Sequence, residues 1–429
     1  MTDASNTIGG NALDQSGRQL AADARFAARV RKRYAAERRF RALGMAAILF
    51  SALVLAVLLF TMTSNAVGGF QRTELRFPVD FRAAALDIQP DRLQGDDGLR
   101  ALEAAGLKDA LATAAAQAAG PVAAGELSDD AWREVGRLLI ADPTRLRARI
   151  DVSVPVSRDL AAAYRGEGKR ELGPIARQLK RDGKLVRAFD LGFLTRSDAI
   201  DPQAVGIWGA LKGSILTMLV TLVLAFPVGV LAALYLEEYA PKNRWTDIIE
   251  VSINNLAAVP SIIFGLLGLA VFLAIFPHYR SAPLIGGMTL ALMTMPVIVI
   301  SGRNAIKAVP PSIRDAAFGI GASRVQTVFH HVLPLALPGI LTGTIIGMAR
   351  ALGETAPLLM IGMRAFVATP PDGFTAPSSV LPVQIFLWSD EIDRGFIERT
   401  SAAIIVLLLF LLVMNGLAIY LRNRFEKRW

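Results

Sequence analysis

The sequence predicts an all-α polytopic membrane protein with six transmembrane helices and one α+β domain inserted between the first two. Of the 429 residues, 53% are hydrophobic and only 19% are charged, which is more apolar than a soluble domain usually is. Six apolar runs are long enough to cross a bilayer as helices, a length of about 20 residues. The longest segment without such a run lies between the first and second of them. The six runs are 43–61, 214–236, 256–276, 284–301, 335–363 and 402–421.

Basic residues cluster at the two membrane-facing ends of the chain, so the net charge of +9 does not point to nucleic acid. Arg38, Arg39 and Arg41 precede the first run, and Arg422 and Arg424 follow the last. Under the positive-inside rule both termini are cytoplasmic, and an even number of spans agrees. The first 24 residues are small and polar and predict a disordered tail.

These assignments divide the chain into a cytoplasmic basic tail (1–41), transmembrane helix 1 (42–62), a periplasmic inserted domain (63–207) and a membrane core with five further helices (208–429). Within the inserted domain, alternating apolar residues at 74–81, 148–156 and 185–194 predict strands, and 98–120 and 128–140 predict helices. The chain has no cysteine, which excludes disulfides and thiolate metal sites. Its three histidines lack a suitably spaced third ligand, so we expect no metal site.

The cytoplasmic loop after the fourth run predicts two short helices at the membrane surface. Pro310 and Pro311 stop the preceding helix, and Ser312 with Asp315 forms a capping-box pattern. Gly319 and Gly321 then break the new helix. A second short helix follows, has one apolar face, and is expected to end before Pro334. The apolar positions of that face are Val325, Val328, Phe329 and Val332. Such a pair of helices can dock into a groove on a soluble partner; the alternative is a capped surface helix without a partner.

The fifth run combines small residues with two charges near its middle. At about 100° per residue, Arg350 and Glu354 fall on the same helix face as a stripe of small residues, where another helix can approach closely. That stripe consists of Gly339, Gly343, Gly347 and Ala351. A charge near the bilayer centre costs about 3 kcal/mol on insertion scales. The pair is either a structural ion pair or a gated site for an anion. Because a guanidinium donates two hydrogen bonds at once, phosphate, sulfate or a carboxylate would suit it.

Two further observations bear on function. Asn254, Asn255 and Pro260 lie at the start of the third run and mark either a broken helix lining a path or ordinary hydrogen bonding between helices. The sequence contains no P-loop pattern, nucleophile elbow or zinc-protease motif. We therefore expect no catalytic residues, no cofactor and no ATP binding by this chain.

The cytoplasmic loop resembles the EAA loop of ABC importer permeases. The matching residues are Asp315, Ala316, Ala317, Gly321, Leu333 and Pro334. Asp315 replaces the usual glutamate, and His331 stands at a position that is normally isoleucine. The string "RALGETAPLL", which starts at Arg350, resembles the PstA-type permease family of bacterial phosphate importers. So do "LYLEEYAP", "NNLAAVPSIIFGLLGLA" and "LPVQIFLW". The resemblance covers about 205–429 and, by position, the first span, but not the inserted domain.

This resemblance implies an ABC permease core at 208–429 with an ATPase-coupling loop at 303–334. It implies transport of inorganic phosphate across the bacterial inner membrane, with Arg350, Glu354, Asn254 and Asn255 on or beside the path. It also implies a second homologous permease subunit, a cytoplasmic ATPase dimer that binds the ATP, and a periplasmic phosphate-binding protein. A permease for another oxyanion (sulfate, molybdate or phosphonate) and a membrane sensor relaying phosphate status to a kinase remain alternatives. The inserted domain would brace the binding protein, contact the partner permease or act as a spacer.

Overall fold

The computed structural model describes residues 7–84, 86, 88, 93, 98–363 and 366–425. The chain divides into two compact units, Met1–Met62 and Thr63–Trp429. Most of the described chain is helical, and one small sheet lies in the second unit.

One long helix, α1, covers Thr7–Gly69. Its part Lys32–Gly69 is long and apolar enough to cross a membrane. The prediction of a disordered tail over the first 24 residues is therefore wrong from Thr7 onward, and residues 1–6 lie outside the described chain. The reason is compositional, because the first proline of the sequence is Pro78 and the polar residues before the span are mixed with the helix formers Ala, Arg and Leu.

A three-stranded antiparallel sheet lies in the segment predicted as an inserted domain, which belongs to the same compact unit as the later helices and is called the inserted domain below. Strand β1 (Gln71–Asp80) is the middle strand, flanked by β2 (Arg149–Pro155) and β3 (Leu185–Phe189). Side chains of β1 alternate between buried and exposed over its second half, with Leu75, Phe77 and Val79 inside. The strand predictions agree with β1 and β2, whereas β3 ends at Phe189 and a short helix follows.

Short helices pack around this sheet and share its core. They are α2 (Gly98–Ala104), α3 (Leu107–Ala119), α4 (Pro121–Gly125), α5 (Ala131–Ala141), α6 (Arg158–Tyr164), α7 (Leu172–Arg181) and α8 (Gly192–Thr195), with a 3-10 helix at Pro143–Arg147. The single helix predicted over 98–120 is divided, because Gly106 adopts the left-handed φ of 82°. Leu102, Leu111 and Leu139 meet the buried face of β1 in one apolar cluster.

The remainder of the chain consists of helices. They are α9 (Trp208–Leu234), α10 (Arg244–Ala257), α11 (Ser261–Leu267), α12 (Leu273–Ile275), α13 (Pro283–Lys307), α14 (Pro311–Gly319), α15 (Arg324–Gln326), α16 (Leu333–Gly353), α17 (Ala356–Met360), α18 (Leu381–Ser389) and α19 (Arg394–Phe425). Single π-helical turns at Tyr235–Tyr239, Gly268–Phe272 and Thr327–Val332 extend or join neighbouring α-helices, and a 3-10 turn covers Pro277–Tyr279.

Five of the described helices are long and apolar enough to span a membrane, and a bent helix pair is a sixth candidate. The five are Lys32–Gly69, Trp208–Tyr239, Pro283–Lys307, Arg324–Gly353 and Arg394–Arg424. The bent pair is α10 with α11 and α12, which turn by 105° at Ala258–Pro260. The bend agrees with the broken helix that was one of the two alternatives at Pro260, and the predicted run 256–276 begins just before it. Pro260 has no N–H, and its ring clashes with a continuing helix, so the helix stops there and α11 begins after it.

Helix α13 is the central helix of the membrane bundle, and it packs against α9 and α16. Glycines make the approach close. A Cβ atom placed on Gly287 would lie 2.4 Å from the Cβ of Val220 on α9, and one on Gly343 of α16 would lie 2.1 Å from that of Ser301. The span predicted over 335–363 begins and ends earlier in the structure, at Arg324 and Gly353, and α17 is a separate helix.

Candidate functional site

The predicted coupling loop forms an exposed helix and a sharp turn between α13 and α16. Asp315 and Ala316 are exposed on α14, whereas Ala317 is 3% exposed and packs inward. Gly321, just beyond α14, has the left-handed φ of 84°, a conformation that glycine adopts at little cost. Leu333 and Pro334 are the first two residues of α16 and are half-buried.

The start and end of these short helices differ from the sequence prediction. The Ser312 capping box is not formed, because Pro310 is the residue that caps α14 and no side chain bonds to the helix end. A capping box occurs instead at α15, where the Ser323 hydroxyl accepts from the Gln326 N–H and the Gln326 side chain accepts from the Ser323 N–H. The second helix also does not end before Pro334. A proline in the first turn of a helix needs no N–H partner, so the chain continues from α15 into α16.

The loop presents apolar side chains to its surroundings. Phe318 is 48% exposed and Ile320 is 81% exposed at the end of α14. Val325 and Phe329 follow on the next helical turns and are also exposed. An exposed patch of this kind marks an interaction surface more often than a solvated one.

An arginine that the sequence analysis did not single out fixes the loop to the spans. Arg314 of α14 donates two hydrogen bonds to the Glu238 carboxylate, at 2.7 and 3.1 Å to Oε1, and further ones to the backbone carbonyls of Ile306 and Val309. Glu238 belongs to the π-helical turn that extends α9. The signal was present, since a pair of glutamates directly after an apolar span is unusual.

A second ion-pair group lies beside the first. Arg303, near the end of α13, is 8% exposed. Its guanidinium bonds to Glu237 at 2.5 Å and to Glu250 of α10 at 2.7 Å. Together the two arginines join α14, the ends of α9 and α13 and the middle of α10 through charged hydrogen bonds, which are about twice as strong as neutral ones.

Arg350 lies in the last turn of α16 and not in the middle of a span. Its side chain is 50% exposed, and Nε is 3.5 Å from Oε1 of Glu354, whose side chain is 20% exposed. Glu354 is the residue after the helix, so the two charges do not share one continuous helix face. The position suits a cation, because the carbonyl end of a helix carries a partial negative charge.

The small residues of α16 and the charges have different surroundings. Gly343 and Gly347 are buried against α13, and Gly339 faces Ala305 of the same helix. Arg350 instead is open to the outside of this chain. Asn254 and Asn255 are exposed as well, in the last turn of α10 directly before the bend.

At the opposite end of the bundle, a buried network joins the inserted domain to α19. Arg399 of α19 is 2% exposed and bonds to Asp190, which is 1% exposed, at 2.7 Å. Arg196 contacts the same carboxylate at 2.7 Å, and Arg72 of β1 approaches it to 3.8 Å. Burial lowers the pKa of Arg72, but the hydrogen bonds and charges of Glu134, Asp190 and Glu74 together outweigh burial and raise the pKa above its usual value. This network was not predicted from the sequence.

Two aspartates close to this network are partly buried. Burial raises the pKa of Asp198, although its carboxylate accepts from Trp388 Nε1 at 3.2 Å. Burial also raises the pKa of Asp201, whose Oδ1 accepts from the N–H of Gln203 at 2.9 Å. Both residues lie in the segment that connects the inserted domain to α9.

Two family models match the chain. The model described as "Binding-protein-dependent transport system inner membrane component" covers residues 225–428, and a domain of unknown function, DUF3333, covers 27–173. The first model includes the coupling loop and all helices from α10 to α19. The fold and the loop therefore define a multi-pass inner-membrane permease component of the ABC importer class.

Named proteins with similar sequences identify the family within this class of permeases. Phosphate transport system permease protein PstA 1 of Mycobacterium tuberculosis is 30% identical over 220 residues, which are 51% of this chain and 71% of that protein. PstA of Yersinia pestis is 31% identical over 50% of this chain and 71% of its own length, and PstA of Haemophilus influenzae is 30% identical over 54% and 81%. The chain belongs to the PstA family of phosphate transport system permease proteins.

The similarity to solved structures is lower than the similarity to these sequence relatives. An inward-facing MetNI methionine ABC transporter matches with a TM-score of 0.41 and 18% identity, over 52% of this chain and 95% of that chain. The family assignment therefore rests on the sequence relatives.

Proposed function

We propose that this chain is one of two related permease subunits that form the phosphate pathway of an ATP-driven importer, with both termini in the cytoplasm and the inserted domain outside. The partners would be the second permease, a cytoplasmic ATPase dimer that binds the ATP, and a periplasmic phosphate-binding protein. The arginines next to the first and last apolar runs support the orientation, since Arg38, Arg39 and Arg41 precede the first run and Arg422 follows the last.

The exposed loop around α14 is the part of the chain suited to dock on the ATPase. Phe318 and Ile320 offer apolar contacts, and Asp315 offers a charge. Because Arg314 fixes α14 to the end of α9, a displacement of the loop by the ATPase would move the spans with it. ATP can drive transport in this way only if the ATPase binds the two states of the permease with different affinity.

The path itself requires a second subunit. Beside α16, the cavity lined by Ala351 and Leu352 has a volume of only about 10 Å³, which is about the room that one water needs. Arg350 is open to the outside of the chain. A second permease packed on this side would enclose its guanidinium and make a charged site for an oxyanion.

The observation that carries the proposal is the half-exposed Arg350 at the end of an apolar span. We expect Arg350→Gln to reduce phosphate uptake by membrane vesicles that contain the complete transporter. A charged hydrogen bond contributes about 1.5–3 kcal/mol, so the half-saturating phosphate concentration should rise about 10- to 100-fold if Arg350 binds the ion. Glu354→Gln should also change phosphate uptake, while the amount of the permease in the membrane stays the same.

Arg244→Gln is the matched control, because Arg244 is an exposed arginine at the start of α10 and lies outside α16. Full uptake in both Arg350→Gln and Glu354→Gln would show that the pair is only structural. Uptake of sulfate but not of phosphate by the unaltered transporter would assign it to another oxyanion.

A further inference from the structure

A basic groove lies on the inserted domain, apart from Arg350 and the coupling loop. It has a volume of about 580 Å³ and is bounded by the end of α6, the turn 165–170 and one face of α7. Its lining includes five cations and a single acid, Glu167. The cations are Arg165, Lys169, Arg170, Arg177 and Lys180.

Two of the three arginines of the groove have no carboxylate partner, and the third has only a distant one. The side chains of Arg170 and Arg177 form no hydrogen bond or ion pair with another described residue. The Nε of Arg165 is buried without a hydrogen-bond partner, and the carboxylate of Glu167 is 3.8 Å from it. That carboxylate is instead bound by Arg394. Burying a guanidinium N–H without an acceptor costs free energy, so the site favours an added anion.

The two lysines of the groove already make one contact each. Lys169 pairs with Asp159 at 2.6 Å, and the ammonium of Lys180 lies 4.2 Å from the centre of the Tyr164 ring. Neither contact removes the positive charge. The groove therefore keeps a strongly positive potential at neutral pH, because arginine and lysine both stay protonated.

The start of a helix lies at the same place. Helix α7 has ten residues, and its N-cap Glu171 makes no capping hydrogen bond. A Cβ atom placed on Gly173, in the first turn of α7, would lie 3.7 Å from Nη1 of Arg177. The Arg177 guanidinium thus lies beside the start of α7, where the helix dipole stabilises an anion. Leu172 donates its N–H to the Lys169 carbonyl and Pro174 has no N–H, so the Gly173 N–H is the donor that this first turn offers. Gly166 and Gly168 form the opposite wall and both adopt a left-handed φ, of 87° and 89°.

The position of the groove is set by the contact of Glu167 with Arg394, the first residue of α19. The apolar part of α19 begins near Ala402, eight residues further on, which is a rise of about 12 Å along a helix. One wall of the groove thus lies close to the polar headgroup layer of a membrane that α19 spans.

We propose that the basic groove is a binding site for a phosphate group, either free inorganic phosphate or the phosphate of a lipid headgroup. A single carboxylate would be satisfied by one guanidinium fork, whereas a tetrahedral phosphate has enough acceptor oxygens for Arg165, Arg170 and Arg177 together. The inference goes beyond the proposed function and stands whether or not the chain transports phosphate.

The first arm of the test uses the full chain in maltoside detergent, which contains no phosphate, and carries Arg350→Gln to remove the charge on α16. Inorganic phosphate is titrated calorimetrically at constant ionic strength. We expect measurable binding that weakens at least about tenfold when Arg165→Gln, Arg170→Gln and Arg177→Gln are combined. The control combines Arg147→Gln, Arg149→Gln and Arg181→Gln, which removes the same charge from the same domain outside the groove and should leave binding unchanged.

A further variant separates loss of binding from loss of folding. Gly173→Glu places a carboxylate beside Arg177, in open space and in the first turn of α7, where an acidic residue stabilises a helix. We expect this variant to keep or raise the thermal midpoint while phosphate binding falls.

The second arm distinguishes the source of the phosphate. Native mass spectrometry of the same proteins with phosphatidylglycerol should show fewer bound lipids for the groove triple variant than for the control triple if the ligand is a headgroup. Phosphate binding lost only in the groove variants assigns the site to free phosphate, and lipid adducts lost only there assign it to a headgroup. If both ligands bind equally to the groove and control variants, or neither binds the parent chain, the proposal is wrong.

Discussion

At the scale of single residues, the strongest constraint is the Asp190 carboxylate, which three arginines approach. Arg196 and Arg399 are both at 2.7 Å, and Arg72 is at 3.8 Å. Arg399 also donates to the backbone carbonyls of Gly69 and Pro202, at 2.7 and 2.9 Å. A buried cation with this many partners is tolerated only as long as they all stay in place.

Asp190→Asn should destabilise the chain more than Arg399→Gln. The first change leaves Arg399 buried without a carboxylate, and removal of one partner of a buried pair costs about 3–5 kcal/mol. The second leaves Asp190 paired with Arg196. Thermal unfolding of the full chain in detergent, followed by tryptophan fluorescence, measures both. Asp129→Asn, at an exposed site, is the control, and an equal or smaller loss for Asp190→Asn would contradict the argument.

Asp201 predicts a pH dependence of stability. Burial raises its pKa, Arg158 lowers it, and Asp393 and Asp130 raise it further. The folded state therefore holds the proton more tightly than the unfolded chain, whose pKa is about 3.9. As the pH rises above that value and through the raised pKa, the folded state loses stability. At neutral pH, the charged Asp201 is thus destabilising.

Asp201→Asn removes this cost and keeps an oxygen that can accept from the Gln203 N–H. We expect a thermal midpoint higher by about 1–2 °C at pH 7, with the difference disappearing as the pH falls toward about 4. Asp129→Asn should show no such trend. A difference that is constant over the whole pH range would mean that burial of the charge is not its cause.

At the scale of elements, the contact of α14 with the end of α9 decides whether the coupling loop can transmit a displacement. Arg314→Gln removes two hydrogen bonds to Glu238, each worth about 1.5–3 kcal/mol as a charged bond. In the complete transporter we expect normal copurification of the ATPase but at least about tenfold slower phosphate uptake. The experiment thus separates docking of the ATPase from transmission of its movement to the spans, because Arg314→Gln leaves the exposed surface of the loop unchanged.

Lys242→Gln is the control for this experiment, since Lys242 is an exposed cation in the loop before α10. Arg314→Lys should recover only part of the uptake, because an ammonium cannot donate in a fork to Glu238 and also reach the carbonyls of Ile306 and Val309. Full uptake by Arg314→Gln would show that α14 moves the spans by another route.

Helix ends were harder to predict than helix existence. Apolar runs and short-range patterns located every candidate span, but the stop at Gly353 and the bend at Pro260 depend on contacts elsewhere. The chain after Gly353 turns so that Pro357 of α17 packs on Gly265 of α11, where a Cβ atom would lie 2.6 Å from the Pro357 Cα. Periodicity within one run carries no information about such a contact between two helices.

At the scale of the whole molecule, ion pairs and an apolar cluster that includes Phe193 and Phe396 attach the inserted domain to the membrane bundle. Arg187 of β3 bonds to Glu398 at 2.9 Å, in addition to the pairing of Asp190 with Arg399. The carbonyls of Gly69 and Pro202 accept from one guanidinium. The two ends of the domain are therefore close together, and a short linker can replace it.

Replacement of residues 71–201 by a short Gly-Ser linker should lower the thermal midpoint of the remaining chain, because Arg399 then keeps no carboxylate. Adding Arg399→Leu should recover part of the loss, since replacing an unpaired buried charge by an apolar side chain removes its desolvation cost. In the intact chain the same Arg399→Leu should destabilise. If it lowers the midpoint in both backgrounds, the charge network is not what makes the bundle depend on the domain.

The sequence by itself determined the membrane class, the positions of the apolar spans, the three strands apart from the end of the third, and the family. These follow from composition, from short periodicities and from local strings, which need no knowledge of distant contacts. Only the tertiary structure decided that Arg350 is exposed at a helix end. The same is true of the ion pair between Arg314 of α14 and Glu238, and of the three arginines that surround the Asp190 carboxylate, Arg72, Arg196 and Arg399. Partners that are tens to hundreds of residues apart meet only when the chain is folded, and the cost of burying a charge depends on which partners it meets there.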